Sequence, residues 1–177
     1  MLKKIILVTV LILLIVLANS LTPSLLPKTE PEVVPSTPTE ESQLPILPEQ
    51  FVGLQLVSSK SGEAAMREIL KLHRNPFPLL DGLIARYSGA AEVTVWVSLS
   101  PTSDEAVMLI QQMIETMPAS TVFKEESVFP MEGQQIYHVT GMSMDHYYWL
   151  DGLCVYWLAV EKTAAPLTVL EAFLQAL

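Results

Sequence analysis

The chain reads as an α+β domain with a mostly antiparallel sheet and about three helices packed mainly on one face, preceded by an apolar N-terminal segment and a proline-rich linker. Three observations lead there. Short runs rich in β-branched and aromatic residues recur between residues 51 and 160, bounded by turn residues. Three other stretches repeat apolar residues every three to four positions, the period of a helix with one buried stripe. Most strand-like runs follow one another through connections too short for a parallel crossover, which leaves antiparallel pairing.

Taken in order, residues 51–57 alternate well enough to be a strand. Residues 61–73 have helical spacing: Ala65, Ile69, Leu70 and Leu72 form the apolar side, while Glu63, Arg67 and Lys71 form the wet one. Asn75-Pro76-Phe77-Pro78 ends that helix. Residues 83–88 and 92–99 read as strands around a Gly89-Ala90-Ala91 turn, with Val93, Val95, Val97 and Leu99 on one face of the second strand and Thr94, Trp96 and Ser98 on the other.

Thr102 followed by Glu105 is the pattern of a capping box, and Asp104 and Glu105 suit the positive end of a helix dipole. The helix they open is expected to reach about Met117, burying Ala106, Leu109, Ile110, Met113, Ile114 and Met117, with Pro118 closing it. The methionines at this spacing fill gaps in a core rather than form a soft-metal site. Strands are expected over residues 126–130, 134–140, 145–150 and 153–160. Asp151-Gly152 is expected to form a two-residue type I′ turn, which sets Leu150 opposite Leu153. A last helix over residues 166–176 lines up Leu167, Leu170, Phe173, Leu174 and Leu177.

Upstream, Lys3 and Lys4 precede an uninterrupted run without charge over residues 5–18. Residues 1–20 are expected to be a membrane anchor or a signal peptide cleaved after Ser20; either way the remainder of the chain lies outside the cytoplasm. Residues 21–50 carry seven prolines, several glutamates and threonines and no glycine, and are expected to be a disordered Pro/Glu/Thr-rich linker. Residues 51–177 are expected to be the extracytoplasmic domain.

That domain has 7 basic against 14 acidic side chains, a formal charge of −7, which argues against a nucleic-acid partner. Cys154 stands alone, so no disulfide can form within the chain, and its apolar neighbours make it a small core residue. There is no phosphate-binding loop, no dinucleotide fingerprint and no nucleophile elbow, and the three histidines lack metal-ligand spacing. No cofactor and no metal are expected.

The final hairpin is the feature left for function. One face carries His146, Tyr148, Leu150, Val155, Trp157 and Ala159; the other carries Asp145, Tyr147, Trp149, Cys154, Tyr156 and Leu158. Neither is polar, so both must be covered, one by helices and the other by the end of the linker, a partner subunit or a ligand. Trp96, His146, Tyr147, Tyr148, Trp149 and Trp157 are therefore the candidate binding residues. As a membrane-tethered interaction module, meeting a protein partner or a second copy through this hairpin, the domain would expose Trp96, Tyr147 and Trp149. As a secreted or tethered small-ligand domain, it would enclose a pocket near His146, Tyr148 and Trp157. An enzyme is the least favoured reading and would bring His138 or His146 close to a carboxylate in a cleft.

Overall fold

A computed structural model describes residues 43–73, 75–161 and 165–177. The apolar run at 5–18 and the proline-rich stretch up to residue 42 lie outside the described residues. Among those described, no helix is long and apolar enough to cross a membrane.

The elements are β1 (Gln50–Phe51), β2 (Leu54–Ser61), α1 (Gly62–Leu72), β3 (Asp81–Ser88), β4 (Glu92–Leu99), α2 (Ser103–Thr116), a single 3₁₀ turn (Met117–Ala119), β5 (Phe123–Met131), β6 (Gln134–Gly141), β7 (Met144–Asp151), β8 (Cys154–Glu161) and α3 (Pro166–Ala176). The strands form one antiparallel sheet in the order β1-β2-β3-β4-β8-β7-β6-β5. This is the α+β fold the sequence predicts. Helix α2 carries the chain from β4 to the far edge strand β5, and the meander β5-β6-β7-β8 then walks back until β8 pairs with β4.

Two of the three helices lie on one face. Helix α1 seats Ala65 and Ile69 on Ile84, and α2 seats Leu109, Ile110 and Met113 on Val139, Tyr148 and Val155. The opposite face takes α3, whose Val169, Leu170 and Phe173 join Tyr87, Val93, Val95, Val97, Tyr147, Trp149, Tyr156 and Leu158. Burying a side chain of this size contributes about 1.5–3 kcal/mol. Leu44 and Leu47 also pack on the α3 face, and the Tyr87 hydroxyl donates to the Pro48 carbonyl at 2.9 Å. The ordered domain thus includes chain upstream of the boundary expected at residue 51.

Two of the helix starts are capped in different ways. Thr102 Oγ1 accepts the Glu105 N–H at 3.2 Å, as the capping pattern predicts, while its own hydroxyl donates to the Glu105 carboxylate at 2.9 Å. Helix α1 has no side-chain cap from Ser61; the Asp81 carboxylate of β3 instead accepts the Gly62 N–H at 3.0 Å and the Gly82 N–H at 2.7 Å. Gly82 also lets α1 lie close to the sheet: a Cβ there would stand 2.8 Å from Ile69 Cδ1 and 3.3 Å from the Met66 nitrogen.

The turns correct the sequence reading in two places. Residues 51–57 are not one strand, because Val52 and Gly53 form a two-residue turn with both φ angles positive, the type I′ pattern, that separates β1 from β2. In the last hairpin the turn residues are Gly152 and Leu153, not Asp151 and Gly152, and Asp151 pairs with Cys154. Gly152 has a positive φ and Leu153 does not, which is the sign pattern of type II′. The register is displaced by two residues, so every side chain keeps the face expected of it.

Two β-bulges turn strands over. In β2 the register shifts between Leu56 and Ser58, so that Leu56 packs toward α3 while Lys60 reaches α1 and pairs with Glu68 at 2.5 Å. In β5 the shift lies between Glu125 and Ser127, which gives Phe123 to the α1/α2 face and Phe129 to the α3 face.

Two substitutions test this packing in opposite directions. Gly82→Ala is expected to lower the unfolding free energy by about 1–3 kcal/mol, since the added methyl meets helix backbone as well as a side chain. Ser143→Gly is expected to raise it by about 0.5–1 kcal/mol, because Met142 and Ser143 both hold left-handed φ angles of 52° and 63° without being glycine. Urea denaturation of the folded domain reads both.

Candidate functional site

On the α1/α2 face, Trp96, Trp157, Tyr148 and Tyr137 lie opposite one another on β4, β8, β7 and β6 and form a continuous aromatic row. Tyr148 is stacked between Trp157, at 5.3 Å between ring centroids, and Tyr137, at 5.1 Å. Such offset pairs contribute about 0.5–1.5 kcal/mol each beyond the area they bury. Leu109, Ile110, Met113, Phe77 and Phe123 pack into this cluster, so side chains fill the space near Tyr148 and Trp157 where the small-ligand reading places a pocket.

On the α3 face, Trp149 stacks on Tyr156 at 4.9 Å and meets Phe173 edge-on at 6.2 Å. Trp149 is 0 % exposed and Tyr147 only 1 %, so neither forms the exposed aromatic patch expected of an interaction surface. The structure therefore splits the six candidate binding residues between two closed cores: Trp96, His146, Tyr148 and Trp157 under α1 and α2, and Tyr147 and Trp149 on the α3 side. Cys154 is buried as expected, and burial together with the Asp151 charge pushes its thiol up to about 11, far from a reactive thiolate.

The two hairpin histidines have different surroundings. His146 is held at both ring nitrogens: Nε2 donates to the Gly141 carbonyl at 3.1 Å, and Nδ1 accepts the Trp157 indole N–H at 3.0 Å. Phe123 closes over the ring edge-on at 4.9 Å. This arrangement requires the neutral imidazole, and burial holds its pKa below the usual histidine value, against smaller opposing effects from the Gly141 carbonyl and Asp145. His146 is a structural tie.

His138 lies on the α3 face, its ring stacked on Tyr147 at 4.7 Å. Its Nε2 is 2.9 Å from Asp145 Oδ1, and its Nδ1 is 3.4 Å from Ser127 Oγ, the long end of hydrogen-bonding range. The His138 and Asp145 side chains are 15 % and 14 % exposed, and Ser127 is exposed. This is the histidine–carboxylate approach set as the mark of an enzyme, with a serine added, and it lies apart from the two surface depressions described next. Sequence reasoning named His138 but missed its partners, whose proximity depends on the registers of β5, β6 and β7.

Two surface depressions stand out among the described residues. One, of about 550 Å³, runs along residues 117–124 and is lined by Met117, Pro118, Ser120 and Phe123 among others. The other, of about 450 Å³, is a groove between Pro76-Phe77-Pro78 and the outer side of α2, where Glu105, Met108, Gln112 and Glu115 line it. Met108 is 66 % exposed. Among the described residues, no group of three or more His, Cys, Asp or Glu side chains is arranged to hold a metal ion. Comparison with protein-family models, curated proteins and solved structures finds no match for the chain.

The neutral state of His146 sets a pH dependence. The unfolded chain takes up a proton near the ordinary histidine value of 6.5, whereas the folded chain resists it to lower pH. Stability is therefore full above that value and is lost as pH falls from it toward the depressed folded pKa. His73, also lowered by burial, adds to the same loss. His146→Gln, which can keep one donor and one acceptor, is expected to reduce the loss measured by urea denaturation between pH 7.5 and 5. His146→Phe strands the Trp157 indole N–H and is expected to cost about 1–3 kcal/mol at pH 7.5.

Proposed function

We infer that the chain is a membrane-tethered, extracytoplasmic interaction module that meets a protein partner through the groove between Phe77 and α2. The tether is argued from the sequence: two lysines, an apolar run and a proline-rich spacer precede the domain. The groove carries the interaction reading. The aromatic hairpin is closed by the chain's own helices, so recognition falls to an outer surface. In the groove, the half-buried Phe77 ring bridges the clusters beneath α1 and α2, and the exposed Met108 offers an adaptable apolar contact. Glu105 and Glu115 give its rim a negative sign, which suits a partner segment with apolar anchors and basic flanks.

The test uses the full chain in the membrane of an expressing cell. A photo-cross-linking residue at Gln111 is expected to capture a discrete protein species, and Met108→Arg is expected to abolish that capture without changing the melting temperature. Protease added to intact cells is expected to remove the domain. A domain that stays protected refutes the topology, and capture that is absent or insensitive to Met108→Arg refutes the groove.

A further inference from the structure

We propose that Ser127, His138 and Asp145 form a nucleophile–base–orienter set that acylates at Ser127 and hydrolyses small carboxylic esters. The proposal depends neither on the groove nor on the tether. Three adjacent strands supply the three groups: Ser127 on β5 lies opposite His138 on β6, which lies opposite Tyr147 on β7, and Asp145 stands two residues from Tyr147 on the same face. The β5 bulge is the deciding element. Glu125 pairs with Val139 and Ser127 with His138, so the register shift between them sets Ser127 opposite His138.

The hydrogen bonds fix the direction of proton flow. The ionised Asp145 carboxylate only accepts, so the 2.9 Å contact places the ring hydrogen on His138 Nε2. His138 Nδ1 is then the free lone pair, and it faces the Ser127 hydroxyl. Stacking on Tyr147, with 16° between the ring planes, restrains the imidazole from below. Ser127 is exposed on the edge strand, where a small ester can reach it. The ring nitrogens exchange roles relative to the serine hydrolase arrangement in which Nε2 serves the serine, but the base and the orienter remain on opposite sides of the ring.

In the proposed step Ser127 Oγ attacks the ester carbonyl carbon as its proton passes to His138 Nδ1. The carbon–oxygen bond to the leaving group breaks, and His138 returns the proton to the departing alkoxide. Water then attacks the acyl-serine, giving one proton to His138; the carboxylic acid leaves and Ser127 recovers its proton. The balance is ester plus water to acid plus alcohol, with no other reactant.

The test incubates the full chain with 4-nitrophenyl acetate and maps acetylated residues by mass spectrometry after rapid acid quench. Acetyl-Ser127 is expected, forming on the order of 100-fold faster than acetylation of the exposed Ser58 and Ser143, with His138→Gln removing that advantage. The rate is expected to rise with pH through one ionisation that His138→Gln abolishes, a signature that a merely structural histidine would not give. Ser127 acetylation no faster than at Ser58, or unaffected by His138→Gln, overturns the proposal. If His138→Gln fails to fold, Ser127→Cys decides the matter. Its alkylation by iodoacetamide is expected to slow on Asp145→Asn, with buried Cys154 silent, and an unchanged rate overturns the proposal.

Discussion

The structure turns on a hairpin that has no wet side. Strands β7 and β8 sit among the inner strands of the sheet, between β4 and β6, and their alternate residues are apolar in both directions. A sheet with one solvated face needs a helix layer on one side only, but this hairpin needs two. That requirement divides the helices. Helix α2 returns under the sheet between β4 and β5 and closes over Tyr148 and Val155; α3, which follows β8, closes over Trp149, Tyr156 and Leu158 from the other side. Leu44 and Leu47 complete that second layer, and the Tyr87–Pro48 hydrogen bond ties their segment to β3. The end of the linker, one of the covers considered for the second face, supplies part of the cover, and α3 supplies the rest.

Covering two faces imposes a second demand on the edge regions, where a strand must serve both layers. A regular strand keeps each side chain on the face its parity assigns. The bulges in β2 and β5 break that parity once each. In β2 this separates Leu56, which supports the α3 layer, from Lys60, which pairs with α1. In β5 it separates Phe129 from Phe123, two aromatic residues of equal parity that lie in different cores. The β5 bulge also twists an edge strand whose Pro130 has no N–H to offer, and both features discourage pairing with another chain.

Much of this was legible in the residues. The strand at 92–99, the helix at 166–176 and the Thr102 cap rest on local signals of period and capping, and they stand where those signals put them. The two faces of the last hairpin survived a displaced turn, because an offset of two residues preserves parity. What local signals missed has a common cause. Val52-Gly53 was hidden inside an apolar alternation, and Met142-Ser143 carries neither the glycine nor the asparagine that marks a left-handed turn. The bulges leave no periodic trace, since they are interruptions of period. The candidate site shares this blindness. The sequence identified the aromatic residues correctly as a group that must be covered, but assigned them to recognition, whereas the helices of the same chain cover them.

The two histidines show why residue type is a poor guide to chemistry in such a domain. His146 and His138 both sit in the β6–β7 hairpin, eight positions apart, and each makes two contacts through its ring nitrogens. The partners of His146 are a backbone carbonyl and an indole N–H, one only accepting and one only donating, both fixed by the core; the ring is locked in one tautomer with nothing free to move. The partners of His138 are a carboxylate, which fixes the hydrogen on one nitrogen, and a hydroxyl, which can give up its proton. A fixed acceptor on one side and a proton donor on the other is the minimum that general-base chemistry requires. The β5 bulge that gives each of the two phenylalanines its own core is also what brings a serine to that position. The same backbone irregularity thus serves the packing of both faces and the contact between Ser127 and His138.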